Sequence, residues 1–287
     1  MRRTARRRLA IVGLTAPAYL WLALTIFLPL SAMFYFSFLS ALPLPGRTVS
    51  VTLDSYRTIL TKELYLINAK RSLLLGIHVT IGCIVIGFPA ALALAKYVHG
   101  RWREAVFLLI VLPFWSNGLV RTFSWTMVLR RDGLLDWFVR LFIPDAPSFD
   151  LLFSYPAIII GLIHAYVPYM ILTCYVSLQA IDDSLIEAAR SLGASTLTIF
   201  RRIILPLSLP GLIAGTILIF VPVIGSFMEP AILGGKDAIM LGPIIERQFS
   251  ASANWPLGAA LSFMLLAIVL AILAAAAPIL RPRLQAT

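Results

Sequence analysis

Cysteine is almost absent from this chain of 287 residues, which contains only Cys83 and Cys174. Both lie inside apolar runs, and no C-x-x-C pair or metal-ligand spacing accompanies them. Disulfide-bonded domains and zinc modules need several cysteines at short spacings. The sequence therefore excludes a disulfide framework and predicts no metal site. We interpret both thiols as small buried apolar side chains.

Charged residues are also scarce, at 13% of the sequence, whereas hydrophobic residues make up 60%. A soluble domain typically contains about a quarter charged residues. The composition therefore indicates an integral membrane protein. The formal net charge of +11 does not indicate nucleic-acid binding. The reason is that the basic residues lie beside apolar runs and form no continuous stripe.

Motifs for nucleotide hydrolysis and covalent catalysis are missing as well. The chain has no phosphate-binding loop of the form G-x-x-x-x-G-K-[ST]. The nearest stretch, Gly234-Gly235-Lys236-Asp237, lacks the first glycine and the hydroxyl residue. There is no H-E-x-x-H, no G-x-S-x-G and no paired catalytic carboxylates in an apolar segment. The sequence thus predicts a chain that is not an enzyme and has no catalytic residues.

Long apolar runs are what the chain does contain. A helix needs about 20 apolar residues to cross a bilayer, and we expect six such spans. They lie near residues 11–40, 70–98, 104–129, 153–178, 205–228 and 256–280. No run alternates with the period of a strand. The prediction is an all-α polytopic membrane protein with a single domain over residues 1–287 and a core at about 65–280.

Two further patterns bear on helix packing. Segment 131–150 carries apolar and aromatic residues among charges, which predicts an amphipathic helix on the outer membrane surface or packed on the bundle. Gly211 and Gly215 have the G-x-x-x-G spacing that allows close helix packing. A second membrane subunit is one candidate for the neighbour of that helix.

The basic residues predict the orientation. The apolar stretch after the basic start is far longer than the about 7–15 residues of a signal-peptide core, so we interpret the start as a cytoplasmic anchor. A twin-arginine export signal is the alternative. Both termini and the segment containing Glu187 would then be cytoplasmic, in a bacterial inner membrane. The anchoring residues are Arg2, Arg3, Arg6, Arg7 and Arg8, with Arg281 and Arg283 at the other end.

The segment between the fourth and fifth spans carries helix start and stop signals. Asp182-Asp183-Ser184 offers an N-cap, and we expect Glu187 in the first turn, where a carboxylate suits the positive end of the helix. Gly193 would end this helix. Leu205-Pro206 marks a break before the fifth span. The prediction is two short helices that meet at a glycine and form a compact cytoplasmic knob.

This segment contains the pattern E-A-A-x3-G-x9-I-x-L-P, formed by Glu187, Ala188, Ala189, Gly193, Ile203, Leu205 and Pro206. It resembles the coupling loop of type I ABC importer permeases. The resemblance implies the six-helix permease fold and a loop, residues 182–206, that docks in a groove of an ATPase subunit, with Phe200 as a further coupling residue. It also implies a second homologous permease, two ATPase subunits that hold ATP and Mg²⁺, and a periplasmic or lipid-anchored substrate-binding protein.

Two more stretches are similar to the spermidine/putrescine permease branch. They are residues 112–125, and residues 227–235 followed by 254–260. The resemblance implies the first of the two permeases of such a transporter and a polyamine as the solute. Ferric iron, thiamine and opine or amino-acid-like compounds remain alternatives, because relatives with these signatures carry them. An ion-gradient-driven transporter is a further alternative, although inverted repeats and midplane acids are not evident.

Polar and aromatic residues in or near the spans are candidates for a solute path or gate. Carboxylates and aromatic faces hold ammonium groups best, which favours Glu229 at the mouth of a helix. Arg121 would repel a polycation but would serve as a gate latch by pairing with Glu229 or another carboxylate. The candidates are Trp115, Asn117, Arg121, Trp125, Tyr166, Tyr169 and Glu229. We interpret His78 and His164 as core histidines with hydrogen-bond partners.

Overall fold

The computed structural model describes residues 2–43, 45, 48–145 and 147–284, with only the backbone of 2–13 and 276–284. The side chains of the predicted arginine anchors at both ends therefore lie outside the described residues. Within them, extended pairing is limited to one isolated bridge between Leu39 and Val51, so the all-α prediction is confirmed. The helices are α1 (Arg2–Phe36), α2 (Asp54–Thr61), α3 (Glu63–Lys96), α4 (Arg101–Val111), α5 (Gly118–Leu129), α6 (Leu134–Phe142), α7 (Tyr155–Gln179), α8 (Asp183–Ser191), α9 (Thr196–Ile199), α10 (Leu205–Ile224), α11 (Met228–Leu233), α12 (Leu241–Phe249) and α13 (Trp255–Leu284).

Five helical segments are long and apolar enough to cross a membrane. They are Leu14–Phe36, Glu63–Lys96, Tyr155–Gln179, Thr196–Ile224 and Trp255–Ala275. Each coincides with one of the predicted runs. Several contain prolines, which membrane helices tolerate when neighbouring groups satisfy the freed backbone carbonyls.

The third predicted span, near 104–129, is not one straight helix. Helix α4 continues into a 3₁₀ turn, Leu112–Trp115, and α5 then starts at an angle of 98° to it. The two together make a sixth span only as a bent pair. Pro113 removes a backbone donor, and the Asn117 side chain accepts a hydrogen bond from the Leu119 N–H at 2.8 Å, which starts a new helix. The apolar length predicted a span here, and the bend was not predicted because apolar length does not register such a break.

Two compact units divide the chain. The first contains residues up to 63 together with 245–264. Aromatic side chains join α1 to the start of α13 within it: Phe34 packs edge-to-face on Phe263 at 5.2 Å between ring centroids, and Phe36 packs on Trp255 at 6.2 Å. The prediction of a single domain over residues 1–287 stays a prediction.

The second unit contains residues 64–244 and the chain from 265 onward. Its core is built from α3, α7 and α10, with fully buried side chains such as Val79, Met170 and Ile219. Helix α10 lies so close to α7 that a Cβ atom at Gly211 would collide with the carbonyl oxygen of Thr173. The predicted close packing of the G-x-x-x-G pattern is therefore present. Its neighbour, however, is α7 of the same chain.

The two cysteines and the two histidines of the apolar runs are accounted for within this unit. Cys83 and Cys174 are both free and buried. His78 Nδ1 lies 3.0 Å from the Tyr155 hydroxyl, and His164 Nδ1 accepts a hydrogen bond from Trp125 Nε1 at 3.1 Å. The interpretation of the cysteines as buried apolar side chains is confirmed. Both histidines have a partner, but only His164 is half-buried, and His78 is exposed, so its interpretation as a core residue was wrong.

The amphipathic segment predicted over 131–150 contains a shorter helix, α6. The buried carboxylate of Asp136 accepts hydrogen bonds from the backbone N–H groups of Asp132 and Phe149, both at 2.8 Å. These bonds draw the chain that follows α6 back to the start of the helix. The rest of the segment, as far as the structure describes it, is therefore non-helical, which the charge pattern did not reveal.

Candidate functional site

The knob between α7 and α10 begins with a well-capped helix, α8. The Asp182 side chain accepts a hydrogen bond from the Ser184 N–H at 2.9 Å, as predicted for an N-cap. That bond lowers the pKa of Asp182, so the cap weakens only as the pH falls through the lowered pKa. Because α8 starts at Asp183, Glu187 lies in the second turn. The expectation of Glu187 in the first turn was wrong.

Gly193 ends α8 in a left-handed backbone conformation, with φ of +80°. The Gly193 N–H donates to the Arg190 carbonyl at 2.9 Å, and the Ala194 N–H donates to the Ala189 carbonyl at 3.0 Å. This is the arrangement by which a glycine closes the last turn of a helix. The predicted role of Gly193 as the turn between two short helices is confirmed.

The second short helix, α9, runs without a break into the fifth span. Ser195 caps α9, and the π turn Phe200–Ile204 follows before α10 begins. The helix is continuous over Thr196–Ile224, so the predicted break at Leu205-Pro206 was wrong. The extra residue of a π turn widens the helix just before Pro206, where the proline ring and its missing N–H would otherwise disrupt it.

The residues predicted to couple the chain to an ATPase subunit form two sets, one exposed on the surface of the knob and one packed on the core. Glu187 and Ala188 are exposed on α8, and Ala189 is half-buried. Phe200 instead packs against the core, with its ring 6.1 Å from that of Phe88. Leu205 also packs on the core, Ile203 is half-buried and Pro206 is exposed. The first helix thus offers the free surface of the knob, while Phe200 and Leu205 attach the knob to the membrane helices.

Lys96, at the end of α3, contacts the base of the knob. Its ammonium donates to the Ile181 carbonyl at 2.7 Å and to Asp183 Oδ1 at 2.6 Å. It also lines a cavity of about 550 Å³ between α3, α8 and α9. Lys96 was not among the residues that the sequence predicted for the knob. The available signal was a basic residue in the last turn of a long apolar helix, but its partners are distant in sequence.

Aromatic rings of α7 and of the 3₁₀ turn after α4 form a cluster near the carboxylate of Glu229. The Tyr169 ring lies 4.7 Å from that of Phe114 and 5.9 Å from that of Tyr166. Helix α11, which carries Glu229, packs against α5 and α7. The charges of Glu229 and Arg121 both lie within electrostatic range of the Tyr166 hydroxyl. Glu229 is half-buried and accepts a hydrogen bond from the Ser226 hydroxyl.

Arg121 lies beside a cavity of about 330 Å³, which Trp125 and His164 also line. Its guanidinium donates to the Pro113 carbonyl at 3.4 Å, at the bend between α4 and α5. Ion pairs in the described part of the chain join Lys96 to Asp183 and Arg140 to Asp132, and none joins Arg121 to Glu229. The proposed Arg121–Glu229 latch is therefore absent, because the bend provides Arg121 with another acceptor.

The two remaining path candidates, Trp115 and Asn117, lie at the bend before α5. Trp115 ends the 3₁₀ turn and is 90% exposed, so its surface is free for a lipid or a protein neighbour. Asn117 caps α5, which gives its side chain a structural task. The structure thus brings together Arg121, Trp125, Tyr166, Tyr169 and Glu229, whereas the side chain of Trp115 is exposed.

Comparisons with known proteins agree with this architecture. The chain is 38% identical over 246 residues to the spermidine/putrescine transport system permease protein PotB of Escherichia coli, covering 85% of this chain and 88% of that protein. It is 36% identical to the PotB of Haemophilus influenzae, covering 84% of each. It is 29% identical to the inner membrane ABC transporter permease protein YdcU of Escherichia coli, covering 76% of each.

Solved structures share the fold at low sequence identity. A bacterial ABC transporter involved in the import of the polysaccharide alginate superposes with a TM-score of 0.76 and 17% identity, covering 98% of each chain. The MetNI methionine ABC transporter in an inward-facing conformation matches with a TM-score of 0.57 and 21% identity, covering 77% of this chain and 96% of that one.

A family model covers most of the described chain. Residues 84–285 match the model of the binding-protein-dependent transport system inner membrane component. That range includes the bent pair α4–α5, the knob and the aromatic cluster. The predicted type I ABC importer permease fold is confirmed, and the matching family is one of membrane transport subunits. The chain therefore belongs to the binding-protein-dependent transport system inner membrane component family.

Proposed function

We propose that this chain is one membrane subunit of an ATP-driven importer, and that the motion of an ATPase subunit is transmitted to its membrane helices through the knob. The observation that carries the proposal is the exposed face of α8, held between a capped start and a glycine end and joined at both sides to membrane helices. An ATPase subunit that binds ATP and Mg²⁺ would dock on this face. A second, homologous permease, a second ATPase subunit and a substrate-binding protein would complete the complex.

The mechanism is alternating access by rigid motion. Closure of the ATPase dimer on ATP moves the knob, and the helices attached to it tilt so that the path opens outward. Hydrolysis then resets the complex. Because α9 continues through the π turn into α10, a displacement of the knob reaches the fifth span without a flexible joint. Both chain termini and the knob are cytoplasmic in this proposal.

A polyamine is the solute that the path chemistry favours. Its ammonium groups suit aromatic faces and carboxylates. The rings of Phe114, Tyr166 and Tyr169 pack together, and Tyr166 lies within electrostatic range of the half-buried Glu229. The relatives that are named for spermidine/putrescine transport support the same solute. We propose inward transport of putrescine and spermidine, with Glu229 and the tyrosine pair contacting the passing cation.

Uptake of radiolabelled putrescine and spermidine tests the solute. Cells without this chain are expected to lose uptake, and the wild-type gene is expected to restore it. Glu229→Gln should lower the restored rate about tenfold, since it removes one charge-assisted contact. Glu246→Gln, an exposed acid elsewhere, is the matched control and should restore the wild-type rate.

Unchanged polyamine uptake in cells without the chain would overturn the polyamine proposal. One observation then favours a second class of solute: Arg121 beside its cavity suits a solute with a carboxylate, such as an opine or amino-acid-like compound. Uptake of labelled arginine or octopine by the complex separates the two classes of solute. Uptake of either compound would favour the class with a carboxylate.

A further inference from the structure

Lys96 makes contacts that take no part in the proposed transmission of motion from the knob through α9 into α10. The apolar part of α3 ends at this residue, and the side chain turns to the segment that connects α7 with α8. Its ammonium bonds the Ile181 carbonyl and the Asp183 carboxylate at the same time, at 2.7 and 2.6 Å. A single cation thus joins three elements: the end of α3, the segment after α7 and the first turn of α8.

Burial makes this contact more than a surface ion pair. The Lys96 side chain is only 10% exposed, whereas that of Asp183 is 72% exposed. Exposed ion pairs contribute little because water and salt screen them. A lysine that is largely removed from water instead needs its acceptors, and a charge-assisted bond in such a place is strong. The Ile181 carbonyl belongs to a buried residue, so it also lacks an alternative donor from bulk water.

The position of the contact gives it a mechanical consequence. The knob reaches α10 through a continuous helix, but it reaches α7 only through the short connection at residues 180–182, and it has no chain connection to α3. Phe200 packs on Phe88 of α3, but this contact lies at the far end of the knob. Without Lys96, the start of α8 would pivot at residues 180–182 and its displacement would not be applied to the end of α3. With Lys96, displacement of α8 is applied to α3 as well.

We propose that Lys96 is a positioning residue that clamps the start of the coupling helix to α3, so that the motion of the knob is passed to a second membrane helix. This inference rests on the proposed function of the knob. It assigns no contact with solute or nucleotide to Lys96. The clamp acts through Ile181 and Asp183 alone, and its loss leaves the free face of α8 intact.

The transport test uses the whole complex in proteoliposomes with its binding protein, and measures putrescine moved per ATP hydrolysed. Lys96→Met is expected to lower this ratio about tenfold while ATP hydrolysis continues. Lys96→Arg keeps a cation with several donors and should restore most of the ratio. Lys70→Met, on an exposed residue of the same helix, is the matched control and should behave as wild type.

A double variant separates the clamp from a general packing effect. Asp183→Asn should lower the ratio less than Lys96→Met does, because the bond to the Ile181 carbonyl remains. Combining the two changes should be no worse than Lys96→Met alone, since both remove the same contact. Additive losses, or a Lys96→Met complex that moves as much putrescine per ATP as wild type, would overturn the clamp.

A distance measurement tests the clamp without depending on transport. Spin labels at His99→Cys and Leu192→Cys, both exposed positions, report the separation between the end of α3 and the end of α8. Cys83 and Cys174 are buried and do not compete for the label. Lys96→Met should broaden the distance distribution, and Lys96→Arg should keep it narrow.

An equally narrow distribution in Lys96→Met would refute the inference even if the chain transports polyamines. Absence of any wild-type putrescine or spermidine uptake, with the broadening present, would instead remove the proposed solute and keep the clamp. The two failures are therefore distinguishable.

Discussion

Gly193→Asp is expected to lower ATP-driven uptake by at least about tenfold while the chain remains in the membrane. Gly193 has φ of +80°, a left-handed conformation that costs most L-residues about 1–2 kcal/mol and costs aspartate and asparagine less. A new carboxylate at the negative end of α8 adds about 0.3–1 kcal/mol of unfavourable dipole interaction. A Cβ atom at this position meets nothing within 4 Å, so the change distorts the end of the knob and not its packing.

Gly193→Asn is the control for this prediction. Asparagine has nearly the same shape as aspartate, carries no charge and tolerates the left-handed region better than most residues. It should therefore retain most of the uptake. Uptake by Gly193→Asp at the wild-type rate would contradict the role of this turn. Loss of the aspartate variant from the membrane fraction would contradict it too, because Gly193 lies outside the folded core.

Glu187→Lys is expected to abolish the binding of the ATPase subunit. Glu187 is exposed in the middle of α8, and the ion pairs of the described residues do not include it, so its carboxylate is free for a partner. Reversing a charge in an interface replaces attraction by repulsion, which costs several kcal/mol, or on the order of 100-fold or more in affinity. The measurement is co-purification of the ATPase subunit with the tagged chain from detergent.

Glu104→Lys is the control for Glu187→Lys, because it reverses the same charge at a position outside the knob. Glu104 is also exposed, and in the proposed topology it lies on the same side of the membrane as the knob. This variant should retain the ATPase subunit, and Glu187→Gln should retain part of it. A Glu187→Lys chain that co-purifies normal amounts of ATPase would show that the free face of α8 is not the docking surface.

Local signals in the sequence were sufficient for much of the fold and for the shape of the knob. The length of the apolar runs gave the spans, because crossing a bilayer depends on length and composition. Asp182 and Gly193 gave the two ends of α8, because capping and left-handed closure involve only residues within one turn. These predictions needed no knowledge of distant neighbours.

The wrong predictions concern residues whose effect on a helix depends on the packing around them. Pro206 predicted a break, yet the π turn before it lets the helix continue. Conversely, Pro113 and Asn117 produce a 98° bend in a stretch whose composition predicted one span. A proline thus indicates that the hydrogen-bond pattern changes, and packing decides whether the helix bends or continues.

Lys96 could not be assigned from the sequence for a different reason. Its partners lie 85 and 87 residues further along the chain, and nothing local to α3 indicates that its end meets the start of α8. The same holds for the approach of Arg121 to Pro113, which exists only because of the bend. Contacts of this kind are properties of the assembled helices, and only the structure reveals them.

ATP-driven import by this chain is tested most directly by uptake of putrescine by the purified complex in proteoliposomes, with ATP supplied to the ATPase side and all ion gradients collapsed. We expect uptake that requires ATP and the binding protein, and that the Gly193→Asp complex does not support. Uptake that proceeds without ATP and follows an imposed proton gradient would contradict ATP-driven import, and would make this chain a gradient-driven transporter.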